Sequence, residues 1–245
     1  MALSITAIVC AHNEAQYLPA CLYSLLAQSR PPDDILVINN ASTDETGAVA
    51  REIPRVQVVD EPRKGLVVAR ETARRVATGD ILVYLDADCR APLTWLARVE
   101  RRFLRDPALL ALSGPYRYYD WDWYGRLLIR AYDVTLAPAT QLLVKYLLRI
   151  GTVFYGGNFA VRREALEAIG GFDTTIEFHG EDTNLGRRLF AAGKVALFHD
   201  CYLYTSARRF VAMGRGQVIR LYVRNFTSEL LYHKPKDTTH LDVRT

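Results

Sequence analysis

The sequence has few cysteines, and their placement does not suit a disulfide framework or a zinc site. Cys10, Cys21, Cys89 and Cys201 include no C-x-x-C pair, and no histidine lies at zinc-ligand spacing from them. Both kinds of site need more closely grouped cysteines. We therefore predict that all four thiols are reduced.

Long apolar runs are also missing. The charge-free run at positions 1–13 is too short to cross about 30 Å of hydrocarbon as a helix. Met1-Ala2-Leu3 has none of the basic residues that open a signal peptide. These features predict a chain that is made and kept in the cytoplasm.

The sequence has no large excess of charge of one sign. It carries 31 Lys and Arg against 27 Asp and Glu, a net charge of +4, and has no RNA- or DNA-binding motif. A nucleic-acid partner is therefore disfavoured. Half of the 245 residues are hydrophobic, which is enough to bury a core and excludes disorder.

The first 115 residues alternate between short β-branched runs and helical patterns. The predicted strands are 4–10, 35–40, 56–60, 80–86 and 109–113. Asn13 suits a helix N-cap, positions 42–45 read as a capping box, and Pro92 suits the first turn of a helix. This alternation predicts an α/β fold whose mostly parallel sheet binds ligands at the carboxyl ends of its strands.

The second half has longer helical patterns. An apolar stretch at 123–150 is interrupted by Pro138, and further helices are expected before Gly170-Gly171, at 182–192 and at 215–232. Short strands are expected at 195–199 and 202–205. We interpret residues 1–210 as one domain, followed by a basic helical tail at 211–245.

Polar clusters fall where a nucleotide-binding α/β sheet would place them. They read CAHNE, VINNASTDET, YLDADC and GEDTNLGRRL, and they are accompanied by KGLVVAR, GGNFAVRR, GGFD and SARR. Together these segments resemble the inverting family-2 glycosyltransferases over about residues 5–209. The resemblance implies a hexosyltransferase-type enzyme with the GT-A fold, a Rossmann-like sheet with an acceptor-side subregion and a C-terminal helix. It divides the domain into a donor half, about 1–115, and an acceptor half, about 116–210.

The segment Asp86-Ala87-Asp88 matches the D-x-D motif of that family. Transfer from a nucleoside-diphosphate sugar leaves a diphosphate, and a divalent metal stabilises its growing charge. Mg²⁺ or Mn²⁺ needs only one or two carboxylates besides the phosphates. The resemblance implies that Asp88 binds the metal, that Asp86 lies near the ribose and the metal, and that Ala87 belongs to the donor-binding loop. A solvated acidic turn is the alternative.

Glu181 and Asp182 open a predicted helix, and the resemblance implies a catalytic role for them. An inverting transfer needs a carboxylate within hydrogen-bond reach of the acceptor hydroxyl. Asp182 is the expected general base, and Glu181 would orient either the acceptor or Asp182. The alternative is that both are ordinary first-turn acids favoured by the helix dipole.

Further donor-binding positions follow from the resemblance: Ala11, Asn13, Glu14, Asn39, Asn40, Lys64, Arg70, Arg208 and Arg209. Relatives commonly carry Asp where this chain has Asn39 or Asn40, and an Asn carbonyl can accept a hydrogen bond from a uracil or thymine N3–H. The cations suit phosphate oxygens, which arginine can bind in a bidentate manner. Solvated basic faces and surface salt bridges are the competing interpretations.

The expected acceptor is a glycan or a lipid-linked intermediate, and the resemblance places it near Trp121, Gly157 and Asn158. Trp121 lies in an aromatic run at 116–124, and aromatic faces can stack on sugars. Packing within the protein is the alternative for this run.

Three other classes of protein compete with this interpretation. A haloacid-type phosphatase also uses D-x-D after a strand, but Cys89 stands where that class usually has Thr or Val. A Rossmann dehydrogenase needs G-x-G-x-x-G after the first strand, and positions 10–17 contain no glycine. A non-catalytic nucleotide-sugar-binding module would not need Asp182.

Two helical stretches combine basic and apolar residues, as interfacial helices do. The region 207–236 contains Arg208, Arg209, Arg215, Arg220, Arg224, Lys234 and Lys236, with an apolar face formed by Val218, Leu221, Tyr222, Phe226, Leu230 and Leu231. The stretch 123–150 adds Arg126, Arg130, Lys145 and Arg149. We predict contact with the cytoplasmic face of a membrane. The alternative is that both faces pack against the domain.

Overall fold

The computed structural model describes residues 3–149, 151–176 and 180–232, which are organised around a central β-sheet. In chain order the strands are β1 (Ile5–Ala11), β2 (Asp34–Asn40), β3 (Val56–Glu61), β4 (Ile81–Asp86), β5 (Leu109–Ser113), β6 (Tyr116–Tyr118), β7 (Asn158–Arg162), β8 (Lys194–Leu197) and β9 (Leu203–Thr205). The sheet has the order β3-β2-β1-β4-β7-β5-β8, and β7 runs antiparallel to both of its neighbours. The remaining pairs are parallel, which confirms the predicted α/β fold.

Helices connect the strands and cover the sheet. They are α1 (Leu18–Leu26), α2 (Thr46–Glu52), α3 (Leu66–Val76), α4 (Trp95–Arg105), α5 (Trp123–Val134), α6 (Leu136–Gln141), α7 (Arg163–Ala168), α8 (Glu181–Ala192), α9 (Arg208–Met213) and α10 (Arg215–Tyr232). A π-helical turn, Leu142–Leu147, continues α6.

Two apolar layers hold the helices to the sheet, because successive side chains of a strand point to opposite faces. Val9 of β1 belongs to the layer that contains Leu22 of α1 and Trp95 of α4. Its neighbour Ile8 belongs to the opposite layer, together with Val67 of α3. The alternation along β1 therefore explains why both faces are covered.

Two predicted helix starts are wrong. Asn13 is not an N-cap: its φ is 52°, its side-chain oxygen accepts the Thr43 N–H at 2.8 Å, and α1 begins only at Leu18. The segment 42–45 is not a capping box, because Asp44 Oδ1 accepts the Thr46 N–H at 3.0 Å and α2 begins there. These polar groups join the loops that follow β1 and β2.

Two prolines occupy other positions relative to the helices than the sequence predicts. Pro92 precedes α4, which begins at Trp95. The stretch 123–150 breaks at Thr135, between α5 and α6, and Pro138 lies in the first turn of α6. A helical first turn has no use for the N–H that proline lacks, so the break falls before the proline.

A second, two-stranded parallel sheet joins β6 to β9. Arg90, just after the D-x-D segment, forms two backbone hydrogen bonds with Tyr204 of β9, at 2.8 and 3.1 Å. This pairing brings the residues that follow β9, including the start of α9, beside the end of β4.

The C-terminal tail is described as far as Tyr232. Helix α10 buries Val218, Leu221 and Asn225 against the rest of the chain. Lys234 and Lys236, the side chain of Leu230 and Ile150 at the end of the apolar stretch lie outside the described residues. None of the described helices combines the length and apolar character needed to cross a membrane.

Candidate active site

The candidate site lies where β1, β2 and β4 end. Because these strands are parallel neighbours, their carboxyl ends meet at one edge, and Cys10 of β1 is paired in register with Asp86 of β4. The D-x-D segment therefore starts directly beside the loop that carries Asn13 and Glu14. Ala11, the last residue of β1, is buried and leaves only its backbone near this edge.

The two carboxylates of the D-x-D segment lie in different environments. The Asp86 side chain is 46% exposed, whereas Ala87 and Asp88 are buried. A tight turn, closed by the Cys89 N–H donating to the Asp86 carbonyl at 2.9 Å, directs the two side chains apart. One carboxylate thus faces the open site and the other faces the protein.

Arg208 neutralises Asp88. Its Nε lies 3.0 Å from Asp88 Oδ2, and the Thr205 hydroxyl donates to Asp88 Oδ1 at 3.3 Å. Burial nevertheless raises the pKa of Asp88 to about 7; Arg208 opposes that rise, while the nearby charges of Asp86 and Glu14 add to it. Burial thus outweighs the ion pair with Arg208 in setting the pKa of Asp88.

Glu14 binds the same arginine in a bidentate pair. Arg208 Nη1 donates to Glu14 Oε2 at 2.9 Å, and Nη2 donates to Oε1 at 2.5 Å. The guanidinium also lies over the Tyr17 ring, 4.7 Å from its centroid. Two predicted donor-binding residues, far apart in sequence, are thus paired with each other at the end of β1.

Arg70 connects the two acidic motifs. Its Nη1 donates to Glu181 Oε1 at 2.5 Å, its Nη2 donates to the Gly156 carbonyl at 2.7 Å, and Nη2 lies 3.8 Å from Asp86 Oδ1. The guanidinium is buried. In this structure, therefore, Arg70 is directed at carboxylates and a carbonyl of the protein itself.

Glu181 and Asp182 form the first turn of α8. Burial raises the pKa of Glu181 to about 8 against the opposing charge of Arg70, and its Oε2 is buried without a hydrogen-bond partner among the described residues. Asp182 Oδ1 accepts the Thr183 N–H at 2.7 Å, and burial raises the Asp182 pKa as well. One oxygen of Glu181 is thus held by Arg70, and the other is a buried acceptor that no described residue satisfies.

Gly156 and Gly157 let the backbone pass between the two motifs. A Cβ on Gly156 would lie 2.8 Å from the Asp182 Cβ, and a Cβ on Gly157 would lie 2.0 Å from Asp86 Oδ2. Neither position has space for a side chain. The acidic motifs consequently lie on either side of a two-residue glycine segment.

Asn158, predicted as an acceptor-binding residue, is buried just after that segment. Its Nδ2 donates to the carbonyls of Gly114, Pro115 and Cys201, at 2.9, 3.2 and 3.0 Å. These bonds tie β7 to the loops around β6 and β9.

The two asparagines that end β2 are held by the neighbouring loop. Asn40 Nδ2 donates to the Arg63 carbonyl at 2.7 Å, and its Oδ1 accepts the Gly65 N–H at 2.8 Å. Asn39 Nδ2 donates to Asp60 Oδ1 at 2.8 Å, whereas Asn39 Oδ1 is buried without a partner among the described residues. Asn39 therefore retains one acceptor for a nucleoside base.

The remaining predicted residues lie at the rim or in packing. Lys64 is exposed in the loop before α3, and Arg209 donates to the Tyr222 hydroxyl at 3.1 Å. Trp121 is buried, with its ring stacked on Phe210 at a centroid distance of 4.5 Å. In this structure Trp121 thus packs α9 against the loop before α5.

Three residues with contacts at the site were not predicted as site residues: Tyr17, Thr205 and Tyr116. The Tyr116 hydroxyl is 2.4 Å from the position that a Gly157 Cβ would take. Tyr116 stood in the aromatic run, but nothing in the sequence distinguished it from its neighbours. Thr205 contacts Asp88, and Tyr17 contacts Arg208. Both contacts join residues that are far apart in sequence, so they form only in the folded chain.

The carboxylates of the D-x-D segment are the candidate ligands for a divalent cation. Among the described residues, no group of three or more His, Cys, Asp or Glu side chains could hold a metal by itself. Asp86 and Asp88 supply hard carboxylate oxygens, which suit Mg²⁺ or Mn²⁺ when substrate phosphates complete the shell. The residues fit a metal that is shared with a substrate.

A sequence profile of the family described as Glycosyl transferase family 2 matches residues 6–170, more than half of the chain. The chain belongs to glycosyltransferase family 2. Membership confirms the family and enzyme class expected from the motifs, and it leaves the phosphatase and dehydrogenase alternatives without support.

Other glycosyltransferases match most of the chain. Glycosyltransferase AglE of Haloferax volcanii is 26% identical over 230 residues, which cover 87% of this chain and 73% of that protein. Human polypeptide N-acetylgalactosaminyltransferase 6 is 28% identical over 215 residues, covering 76% of this chain but 34% of that protein.

Solved structures of glycosyltransferases share the GT-A fold. Mannosyltransferase PcManGT from Pyrobaculum calidifontis, in complex with GDP-Man and Mn²⁺, superposes with a TM-score of 0.72 at 25% identity, over 94% of this chain and 63% of that chain. TarS 1-349 of S. aureus, in complex with UDP-GlcNAc, gives 0.64 at 16% identity, over 83% of this chain and 58% of that chain. This chain thus spans less than two thirds of both structures, and the expected fold is confirmed.

Proposed function

We propose that this family-2 glycosyltransferase is metal-dependent and inverting, and that it transfers a sugar from a nucleoside-diphosphate sugar to a hydroxyl acceptor. One observation carries the proposal: Asp182 and Asp86 lie against adjacent glycines, Gly156 and Gly157. Because these glycines are consecutive, the observation supports a candidate base that lies near a carboxylate which would hold the metal and, through it, the diphosphate. An in-line displacement needs the base and the acceptor on one side of the anomeric carbon and the leaving group on the other.

Asp182 is the proposed general base. It takes the proton of the acceptor hydroxyl while that oxygen forms a bond to the anomeric carbon. The bond from the anomeric carbon to the diphosphate breaks, its electron pair leaves with the nucleoside diphosphate, and the configuration inverts. Burial raises the pKa of Asp182, which makes its carboxylate a stronger base near neutral pH.

Glu181 is proposed to orient the acceptor rather than Asp182. Its Oε1 is held by Arg70, while its Oε2 has no partner among the described residues and can accept a sugar hydroxyl. The Asp182 carboxylate instead accepts hydrogen bonds from Thr183 and from the Gly156 backbone.

Asp88 and Asp86 are the proposed metal ligands. The metal would neutralise charge on the departing diphosphate. PcManGT, the mannosyltransferase described above, was solved with Mn²⁺, which supports this assignment. For the donor, Asn39 Oδ1 offers an acceptor to a base N–H, and Lys64 and Arg209 are proposed phosphate contacts.

The proposed acceptor is a glycan or a lipid-linked glycan, in polysaccharide, glycolipid or lipid-linked glycan synthesis. The proposed location is the cytoplasm, at the cytoplasmic face of a membrane. The basic and apolar helical segments of the second half support this location.

The donor and metal assignments can be tested together by thermal shift. UDP-, GDP- and dTDP-sugars would be added with and without Mn²⁺, since a bound ligand stabilises in proportion to the logarithm of its concentration over its Kd. We expect one nucleotide to stabilise the protein only with Mn²⁺, and Asp88→Asn to abolish that effect. Asp106→Asn, on the surface beside Lys194, is the matched control. A Mn²⁺-dependent shift that persists in Asp88→Asn would refute the metal assignment.

The base is tested with Asp182→Asn. Donor binding should remain, whereas turnover should fall by about 10²–10⁴-fold, the usual contribution of a positioned base. Loss of turnover with intact binding also separates an enzyme from a non-catalytic binding module. NMR of the product should show the inverted anomer, and retained configuration would contradict the mechanism.

A further inference from the structure

The helical segment 123–149, from α5 through the π-helical turn, presents large apolar side chains to solvent. Those more than half exposed include Trp123, Leu127, Val134, Leu136, Leu142 and Leu147, with exposures of 72%, 55%, 73%, 62%, 63% and 74%. We call this outer side of the segment the apolar face. Soluble monomers rarely expose a large contiguous apolar patch unless it binds something.

The opposite side of the segment is anchored to the domain. Ala137 and Val144 are buried. Gln141 bonds to Thr152 and to the Val153 N–H, at 2.8 and 2.7 Å, and Lys145 Nζ donates to the Val195 carbonyl. The segment is therefore docked on one side, and its apolar face is the side that nothing in the described chain covers.

Most of the charged side chains of the segment are basic. Arg126, Arg130, Lys145 and Arg149 are its basic residues, and Asp133 is its only acid in sequence. Asp133 is directed inward, where its Oδ1 accepts the Tyr155 hydroxyl at 3.3 Å. Arg126, Arg130 and Arg149 are exposed, whereas Lys145 is bonded on the docked side. The exposed charge of the segment is consequently basic, which complements an anionic surface.

Helix α10, the other stretch with interfacial character, uses much of its apolar side internally. Val218 and Leu221 are buried, and Val218 packs in a cluster with Trp121 and Phe210. The structure therefore favours packing for this part of α10 and exposure for 123–149.

We infer that the apolar face lies on an anionic lipid surface, with its apolar side chains among the acyl chains and its cations at the headgroup phosphates. This combination is what interfacial helices use. This position of the apolar face extends the proposed membrane location, and its role in delivering an acceptor rests on the proposed function. Asp133 meets Tyr155, and Tyr155 precedes Gly156 of the active site. The lipid surface would thus adjoin the acceptor side, where a lipid-linked acceptor could enter.

The test is co-sedimentation of the full chain with vesicles of POPC alone and of equimolar POPC and POPG, at low and high salt. We expect binding to the POPG vesicles at low salt. Leu142→Ser with Leu147→Ser should weaken that binding about tenfold, because both side chains leave the acyl region. Arg126→Ser should weaken it about fivefold. The matched control is Leu93→Ser with Leu104→Ser, two exposed leucines elsewhere on the chain, which should bind like wild type.

Donor thermal shift, measured in the same variants, keeps this inference separate from the proposed function. The lipid inference predicts normal donor binding in the apolar-face variant and normal vesicle binding in Asp182→Asn. Absence of binding to POPG vesicles at low salt would overturn it. So would equal binding by the apolar-face variant and wild type. A wild-type dimer that becomes monomeric in that variant, without vesicle binding, would assign the face to a second copy instead.

Discussion

At the residue scale, two arginines contact the acidic motifs, and one of them contacts both. Asp88 is paired with Arg208, and Glu181 is paired with Arg70, which also lies 3.8 Å from Asp86. Burial nevertheless raises the pKa of Asp88 to about 7 and that of Glu181 to about 8. The arginines therefore do not offset the cost of placing these carboxyl groups in a poorly hydrated site.

Replacing Arg70 should destabilise the fold strongly. Above about pH 8, where Glu181 is ionised, Arg70→Met leaves this buried carboxylate without its ion-pair partner, and breaking such a pair typically costs about 3–5 kcal/mol. The control is Arg75→Met on the same helix, because Arg75 is largely exposed and should change the free energy of unfolding by less than about 1 kcal/mol. Urea unfolding measures both. Equal, small effects would show that the Arg70 contacts contribute little.

The raised pKa of Glu181 predicts a pH dependence of stability. The folded chain retains the Glu181 proton up to about pH 8, whereas the unfolded chain loses it near 4.5. The folded state thus binds more protons between these values, so this group stabilises the fold fully below pH 4.5 and loses that contribution as pH rises to about 8. Glu181→Gln should therefore lose less stability than wild type between pH 5 and pH 8. Parallel urea-derived profiles would contradict the prediction.

At the scale of elements, β7 sets the geometry of the site. It is the antiparallel strand inserted between β4 and β5, and the glycines before it run between Asp86 and Asp182. The side chain of its first residue, Asn158, donates hydrogen bonds to three loop carbonyls. The strand beside the two acidic motifs is thus held by pairing on both sides and by the three bonds of Asn158.

Gly157→Ala tests that geometry. The new methyl group would lie 2.0 Å from Asp86 Oδ2, so the strand or the carboxylate must shift, which typically costs about 1–3 kcal/mol. Gly216→Ala is the control, because a Cβ there meets nothing and alanine favours the helix. Thermal unfolding should show a lower Tm for Gly157→Ala only. An unchanged Tm and unchanged donor binding would mean that the close approach is easily relieved.

At the scale of the whole molecule, the two predicted halves share one sheet. Strand β7 comes from the acceptor half, yet it pairs with β4 and β5 of the donor half. Active-site residues likewise come from both halves, with Glu14 and Asp88 bonded to Arg208. The two predicted halves are consecutive in sequence, whereas the core and the site contain residues from both halves.

A fragment of residues 1–115 should not fold by itself. Without β7, β4 and β5 lose the strand that joins them, and their unpaired edges favour association. We expect no cooperative unfolding transition by circular dichroism. Co-expression with 116–245 is the control and should restore a cooperative transition. A sigmoidal urea curve for the fragment alone would show that the donor half is an independent domain.

Local patterns were enough for the family and for most of the secondary structure. The predicted strands match β1 to β5 within a few residues, because a buried strand must be built from consecutive apolar and β-branched residues. Strands β6 and β7 were not predicted, and helix starts were less predictable. Asn13, Ser42 and Asp44 are capping residue types, but their side chains accept backbone N–H groups of the opposite loop. The same polar side-chain atoms can cap a helix or form hydrogen bonds between two loops.

The sequence by itself therefore determined the α/β fold, the strands β1 to β5 and membership of glycosyltransferase family 2, since these depend on residue types at short range. The tertiary structure decided which charges meet. Arg70 reaches a glutamate 111 positions away, and Arg208 one 194 positions away. It also decided that α10 packs part of its apolar side while the segment 123–149 stays exposed. No local pattern encodes such choices, because burial depends on what the rest of the chain places opposite each helix.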